Sequence, residues 1–146
     1  MNITRFDSYT ELEKKISADR LVDFLHTHLD QFGDEKTAIK KCLDFAFNVN
    51  GGLGGFVLTA ELEGKIVGVL IMNKTGMEGY IPENILVYVA VDAGLRGKGI
   101  GKSIVEMALE EAEGDVKLHV EYDNPAKHLY ERLGFASKYA EMRWTR

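Results

Sequence analysis

The segment Val89-Ala90-Val91-Asp92-Ala93-Gly94-Leu95-Arg96-Gly97-Lys98-Gly99-Ile100-Gly101-Lys102-Ser103 constrains this chain more than any other. Leading into it, ILVYVAVD (85–92) is apolar on both faces, as expected of a central strand covered on both sides. Beyond the glycines, Ile100, Ile104, Met107, Ala108 and Ala112 recur at helical spacing. A central strand therefore runs through a glycine-rich turn directly into a helix. The start of such a helix exposes unpaired backbone N–H groups at the positive end of its dipole. Glycines lack the Cβ atoms that would keep a phosphate away from those amides, and Arg96, Lys98 and Lys102 add positive charge. The element suits a phosphate or pyrophosphate. Its blander reading is a structural turn carrying surface lysines.

The rest of the chain supplies the frame. Ile3–Asp7 reads as a short edge strand. Leu21, Phe24, Leu25, His28, Leu29 and Phe32 predict a helix capped at Asp19, with Gly33 past its end. A second helix is expected from Asp34 to about Asn50, and GGLGG (51–55) then breaks the chain as a hinge. From Phe56 the period becomes two. FVLTAELE (56–63) and KIVGVLIM (65–72) form a hairpin turning at Glu63-Gly64. Past the central strand and its helix come a strand at 116–122, a helix from about Pro125 to Leu133, and a last strand at Lys138–Trp144. This order predicts a single α/β (α+β) domain over residues 1–146. Its sheet is mixed, mostly antiparallel and twisted, with six to seven strands and helices on both faces.

Composition narrows the function classes. The net charge of −5 argues against broad nucleic-acid binding, which needs many cations, and mildly favours a cationic substrate. Cys42 is the sole cysteine and falls in an apolar stripe, so packing is its expected role, with no disulfide or cysteine-based metal site. His26 and His28 lie two apart on one helix and do not make a metal site; His28 is expected in the core. MNITRFDSYT has no signal-peptide core, and no apolar run approaches the ~20 residues of a membrane helix. A cytoplasmic protein with no membrane partner is expected.

Three patterns compete for the glycine loop. A P-loop needs Gly where Arg96 stands. The dinucleotide fingerprint matches at Gly97 and Gly99 but fails at Lys102, and two helices and a hairpin precede the loop, whereas that fold starts with it. R-x-x-G-x-G matches fully at Arg96, Gly99 and Gly101. Downstream, DNPAKHLYERLGF (123–135) provides a second motif. Together the two segments closely resemble motifs A and B of the GNAT superfamily of N-acetyltransferases.

That resemblance implies the GNAT fold and transfer of an acetyl group from acetyl-CoA to an amine of a small molecule or peptide, with no metal. It implies that Val89, Ala90 and Val91 pair with the pantetheine arm, beside a strand bulge. Arg96, Gly97, Lys98, Gly99, Ile100, Gly101 and Lys102 then take the pyrophosphate, more through main-chain amides than through the Arg96 side chain. Tyr130 matches the family's general acid for the CoA thiolate. Asn124 is the expected CoA contact. One residue fewer than usual separates it from Tyr130, so either the turn is shorter or Asp123 takes that position. Where relatives carry a Glu on the fifth strand this chain has His119, a candidate general base or a solvated surface residue. Glu83 and Tyr80 are further acceptor-side candidates, while another common base position holds Ile85. Tyr139, Met142 and Trp144 are expected to pack on the last strand, which, if exposed, offers a route to a homodimer. The rival to catalysis is a non-catalytic acyl-CoA-binding regulatory module; magnesium-dependent ATP binding ranks third.

Overall fold

The turn at Glu63-Gly64 organises the sheet. Both residues have positive φ, 51° and 78°, the geometry of a two-residue hairpin turn matched to strand twist. In the computed structural model, which describes residues 1–146, that turn joins β2 (Gly55–Leu62) to β3 (Lys65–Lys74). Before them come β1 (Asn2–Phe6), α1 (Tyr9–Glu13), α2 (Ala18–Leu29) and α3 (Lys36–Ala46); after them come β4 (Asn84–Val91), α4 (Ile100–Glu111), β5 (Val116–Leu118) and α5 (Ala126–Arg132). Single 3-10 turns lie at Asp30–Phe32 and Ala93–Leu95. The strands stand in chain order, β1-β2-β3-β4-β5, antiparallel except for the β4–β5 pair, which α4 crosses over to make parallel.

Alternation along the strands splits the core into two layers. Val57, Val69, Ile71, Tyr88 and Ala90 face Leu21 and Leu25 of α2 and Ile39 and Leu43 of α3. Phe56, Leu58, Leu70, Met72 and Leu86 face Ile100, Ile104, Val105 and Ala108 of α4 and Tyr130 of α5. Gly68 lets the α4 start settle on the sheet, since a Cβ there would lie 3.3 Å from the Ala60 Cβ and 3.4 Å from Ile100 Cγ2. Helices thus cover both faces, as expected.

Several boundaries differ from the sequence reading. Ser17, not Asp19, caps α2, its hydroxyl accepting from the Arg20 N–H at 3.2 Å. The second helix is shorter than 34–50, because Asn48 takes a left-handed φ of 57° just beyond Ala46. In the glycine run, Gly55 belongs to β2, where a Cβ would stand only 1.9 Å from the Met72 carbonyl oxygen. The sheet has five strands, not six to seven. Pairing with β4 stops at Leu118, residues 119–122 leave the sheet, and the Lys138–Trp144 segment forms no strand. Tyr139, Met142 and Trp144 are consequently exposed and not packed, and the expected homodimer route lacks its strand. His28 is half-buried, outside the core expected for it, whereas Cys42 does pack against the α2–α3 layer. No helix is long and apolar enough to cross a membrane.

Candidate active site

The site begins with a register error in β4. Ile71 stands opposite Tyr88 but Met72 stands opposite Leu86, so Val87 is an extra residue and the strand bulges there. On its other edge β4 pairs with β5 only from Asn84 to Leu86. Beyond the bulge that edge is open. The closed end of the wedge is clamped: buried Asn84 donates from Nδ2 to the carbonyls of Glu113 (2.8 Å) and Asp115 (3.2 Å). The Glu83 carboxylate accepts from the Asp115 N–H (2.7 Å) and the Gly79 N–H (3.3 Å). These bonds, the Asp115 one foremost, hold the Glu83 carboxyl below its ordinary range. Glu83 is therefore occupied as part of the clamp, and Tyr80 is exposed.

Alternation decides which backbone groups the open edge offers. The Asp92 N–H donates to the Val67 carbonyl of β3 at 2.9 Å, so Ala90 also directs its main-chain groups toward β3. Val89 and Val91 direct theirs into the wedge. Of the three residues singled out in the sequence, two present free main-chain groups there, and Ala90 contributes a methyl to the α2–α3 layer.

β4 runs directly into the glycine loop. Asp92 accepts from the Gly94 N–H (2.9 Å) and pairs with Lys65 (3.6 Å); the Gly94 bond leads in holding its pKa down. Gly97 and Gly99 have φ of 81° and 80°, which side chains resist, and a Cβ on either would stand in open space. Gly99 caps α4 with no side chain, leaving the N–H groups of the first turn without a side-chain partner. Gly101 is where three elements meet, since a Cβ would lie 3.3 Å from Leu129 Cδ2 of α5 and 3.6 Å from Val91 Cγ2 of β4. The Arg96 side chain turns away from this surface and donates to the His28 carbonyl at 2.5 Å. The His28 Nδ1 accepts from the Ala93 N–H at 3.0 Å. The end of α2 thereby fixes the loop, a contact that the helical spacing of His28 did not reveal. Lys98 is exposed, and Lys102 pairs with Glu106 at 3.7 Å.

Tyr130 of α5 packs in the same layer as Val89 and Val91. It is only 8% exposed, its ring meets Phe135 edge-on at 5.8 Å, and its hydroxyl has no hydrogen-bond partner in the chain. Burial pushes its pKa up to about 12, so the phenol keeps its proton at neutral pH. The Asn124 Oδ1 accepts from the Ala126 N–H at 2.9 Å and so braces the α5 start, while Asp123 is exposed in the preceding turn. His119 is exposed, one residue past β5. No group of three or more His, Cys, Asp and Glu side chains is arranged to hold a metal ion.

An open strand edge, a cradle of free amides and a buried, protonated phenol thus converge from β4, α4 and α5. Residues 54–137 match the family model described as an acetyltransferase (GNAT) domain. No curated protein matches the chain. Among solved structures, a ribosomal-protein-alanine N-acetyltransferase from Brucella melitensis biovar Abortus 2308 is 18% identical over 100% of both chains, with a TM-score of 0.65. An aminoglycoside N-acetyltransferase in complex with CoA is 12% identical, with a TM-score of 0.69 over 99% of this chain and 93% of that one. A transcriptional regulator from Bacillus halodurans C-125 is 19% identical, with a TM-score of 0.66 over 99% of this chain and 100% of that one. These likenesses establish the shared fold. The family match spans more than half of the chain and contains the bulge, the loop and Tyr130 alike, so the chain belongs to the GNAT acetyltransferase family and is an N-acetyltransferase.

Proposed function

We propose that this enzyme uses acetyl-CoA and passes the acetyl group directly to a primary amine of a small molecule or peptide, in the cytoplasm, with no acyl-enzyme. The observation that carries the reading is the β4 edge left open beyond the Val87 bulge. The chain's residues fit such a cosubstrate: two strand residues with free main-chain groups lead into a loop whose glycines leave room beside its amides. Acetyl-CoA supplies a thioester whose carbonyl carbon an amine can attack, with a thiolate as leaving group. Val89 and Val91 pair with the amides of the pantetheine arm as an added strand would. The amides from Arg96 to Lys102 hold the pyrophosphate, with Lys98 and Lys102 adding charge. At the splayed edge a main-chain N–H meets the carbonyl oxygen as charge develops on it. Tyr130 gives its hydroxyl proton to the departing sulfur. Its lack of any partner within the chain favours that role over a packing one. Asn124 sets the α5 start from which Tyr130 projects. The proton lost by the attacking amine goes to water or to the exposed His119.

A sensor of acyl-CoA is the second reading, and one fold neighbour is described as a transcriptional regulator. The two separate in an assay of thiol release from acetyl-CoA across a panel of amines. Amine-dependent release at a rate above that without enzyme supports transfer. Tight acetyl-CoA binding with no release for any amine, unaltered in Tyr130→Phe, supports the sensor.

A further inference from the structure

The end of α2 that fixes the glycine loop also lines a cleft that the acetyl-transfer chemistry leaves unused. The cleft has a volume of about 360 Å³, within the range of small-molecule sites. α2 forms one wall with Arg20, Phe24 and His28, which recur every four residues and so share one face. The tip of the β2–β3 hairpin forms the opposite wall, with Gly64 at its turn. Ile16, Phe24 and Ile66 give the cleft an apolar part, and the Phe24 and His28 rings stand 4.4 Å apart.

Charge sorts the remaining residues. Lys15 pairs with Glu61 at 2.9 Å and Lys65 with Asp92 at 3.6 Å, so both carboxylates of the cleft are matched. Arg20 lines the same cleft, and only its main-chain N–H is engaged, in the Ser17 cap. One unmatched cation beside an apolar wall fits an anion with an apolar body. A guanidinium takes a carboxylate through two parallel hydrogen bonds, which favours that anion. Two bonds then connect the cleft to the glycine loop. The His28 Nδ1 accepts from the Ala93 N–H at 3.0 Å, and the His28 carbonyl accepts from Arg96 at 2.5 Å. Asp92, just past β4 and bonded to the Gly94 N–H, lines the cleft as well. A ligand seated against Arg20 and Phe24 therefore bears on the helix end that holds the loop.

We infer that this cleft is an effector site for a small organic carboxylate, held by Arg20 with its apolar body against Ile16, Phe24 and Ile66. Occupancy steadies the end of α2 and, through His28, the loop amides, and so tightens the binding of acetyl-CoA. The coupling, though not the site, rests on the acetyl-CoA reading above. Couplings between sites are typically roughly 5–150-fold, and each ligand must tighten the other by the same factor.

The test titrates the whole chain calorimetrically with phenylacetate as the probe and phenylacetamide as its neutral counterpart. Phenylacetate should bind the wild type at least about 10-fold more tightly than the amide. Arg20→Gln should erase that difference. Its melting midpoint and its acetyl-CoA affinity without phenylacetate should match the wild type, because the Arg20 side chain is exposed and without a partner. Saturating phenylacetate should tighten acetyl-CoA binding about 5-fold in the wild type and leave it unchanged in Arg20→Gln. No binding of phenylacetate, equal binding of acid and amide, or binding that Arg20→Gln leaves intact overturns the site. Binding of phenylacetate with no change in acetyl-CoA affinity overturns the effector role. Failure of the wild type to bind acetyl-CoA at all sinks the transfer reading, and the Arg20 comparison still decides the site.

Discussion

Replacing Tyr130 by Phe separates chemistry from folding. The ring is 8% exposed and keeps its edge contact with Phe135, 5.8 Å between centroids, in the variant. Because the hydroxyl has no partner in the chain, its removal orphans no buried group. The variant loses no hydrogen bond within the chain, so stability should hold to within about 1 kcal/mol. That corresponds to a thermal midpoint within about 4 °C of the wild type. The rate should respond very differently. Proton donation by a positioned side chain contributes roughly 10²–10⁴-fold, so kcat should fall at least about 100-fold, or about 2.7 kcal/mol in the barrier. KM for acetyl-CoA should move little, since the ring still lines the site. Alkaline pH provides a second readout. The Tyr130 pKa is raised to about 12 in the folded chain, against 10.0 for an ordinary tyrosine. Its contribution to stability is complete below pH 10 and is lost as the pH rises toward 12, because the unfolded state releases the proton first. Tyr130→Phe should therefore lose less stability than the wild type over that window. The phenol remains protonated below it, so any alkaline limb in kcat near pH 8–9 should persist in the variant. Circular dichroism melts and a continuous thiol-release assay measure both effects. Full kcat in the Phe variant would refute the acid role, and a collapsed melt would refute the claim that the hydroxyl is structurally idle.

Other positions give independent checks. Gly99→Val places a β-branched residue at φ 80° in the loop and should weaken acetyl-CoA binding at least 10-fold, measured by calorimetry. Gly64→Ala carries a similar φ of 78° at the hairpin tip, and should cost about 1 kcal/mol of stability with acetyl-CoA affinity unaltered. His28→Ala removes the acceptor for the Ala93 N–H and should raise KM for acetyl-CoA severalfold with less effect on kcat; His28→Asn, which can offer an oxygen to that N–H, should restore it. Asn84→Leu unlatches the closed end of the wedge, leaving the Glu113 carbonyl without its donor and the Asp115 carbonyl with only the main-chain N–H of residue 84, and should destabilise the fold by about 1–3 kcal/mol in urea unfolding.

Local chemistry made part of this site readable in the sequence. The apolar spacing of Ile100, Ile104 and Ala108 correctly identified the buried face of α4, and Gly97 and Gly99 marked the left-handed turn before it. Glu63-Gly64 signalled the hairpin by its own turn preference. The position of the bulge was hidden, because ILVYVA is apolar on both faces and skipping Val87 leaves no Gly, Pro or polar mark. Asp34 is expected to start the second helix, yet its carboxylate bonds to Tyr88, 54 residues away, and the helix begins at Lys36. His28 likewise serves the loop across 65 residues. A last strand is expected at Lys138–Trp144, but β5 already ends at Leu118 and the segment joins no strand ladder. What escaped the sequence was in each case a long-range pairing.

The most direct test of the central claim is calorimetric titration of the purified protein with acetyl-CoA, repeated with ATP and magnesium and with the Gly99→Val variant. The account predicts micromolar binding of acetyl-CoA to the wild type, weakened in the variant, and no heat with ATP and magnesium. Binding of ATP with none of acetyl-CoA would contradict it and return the glycine loop to a nucleotide.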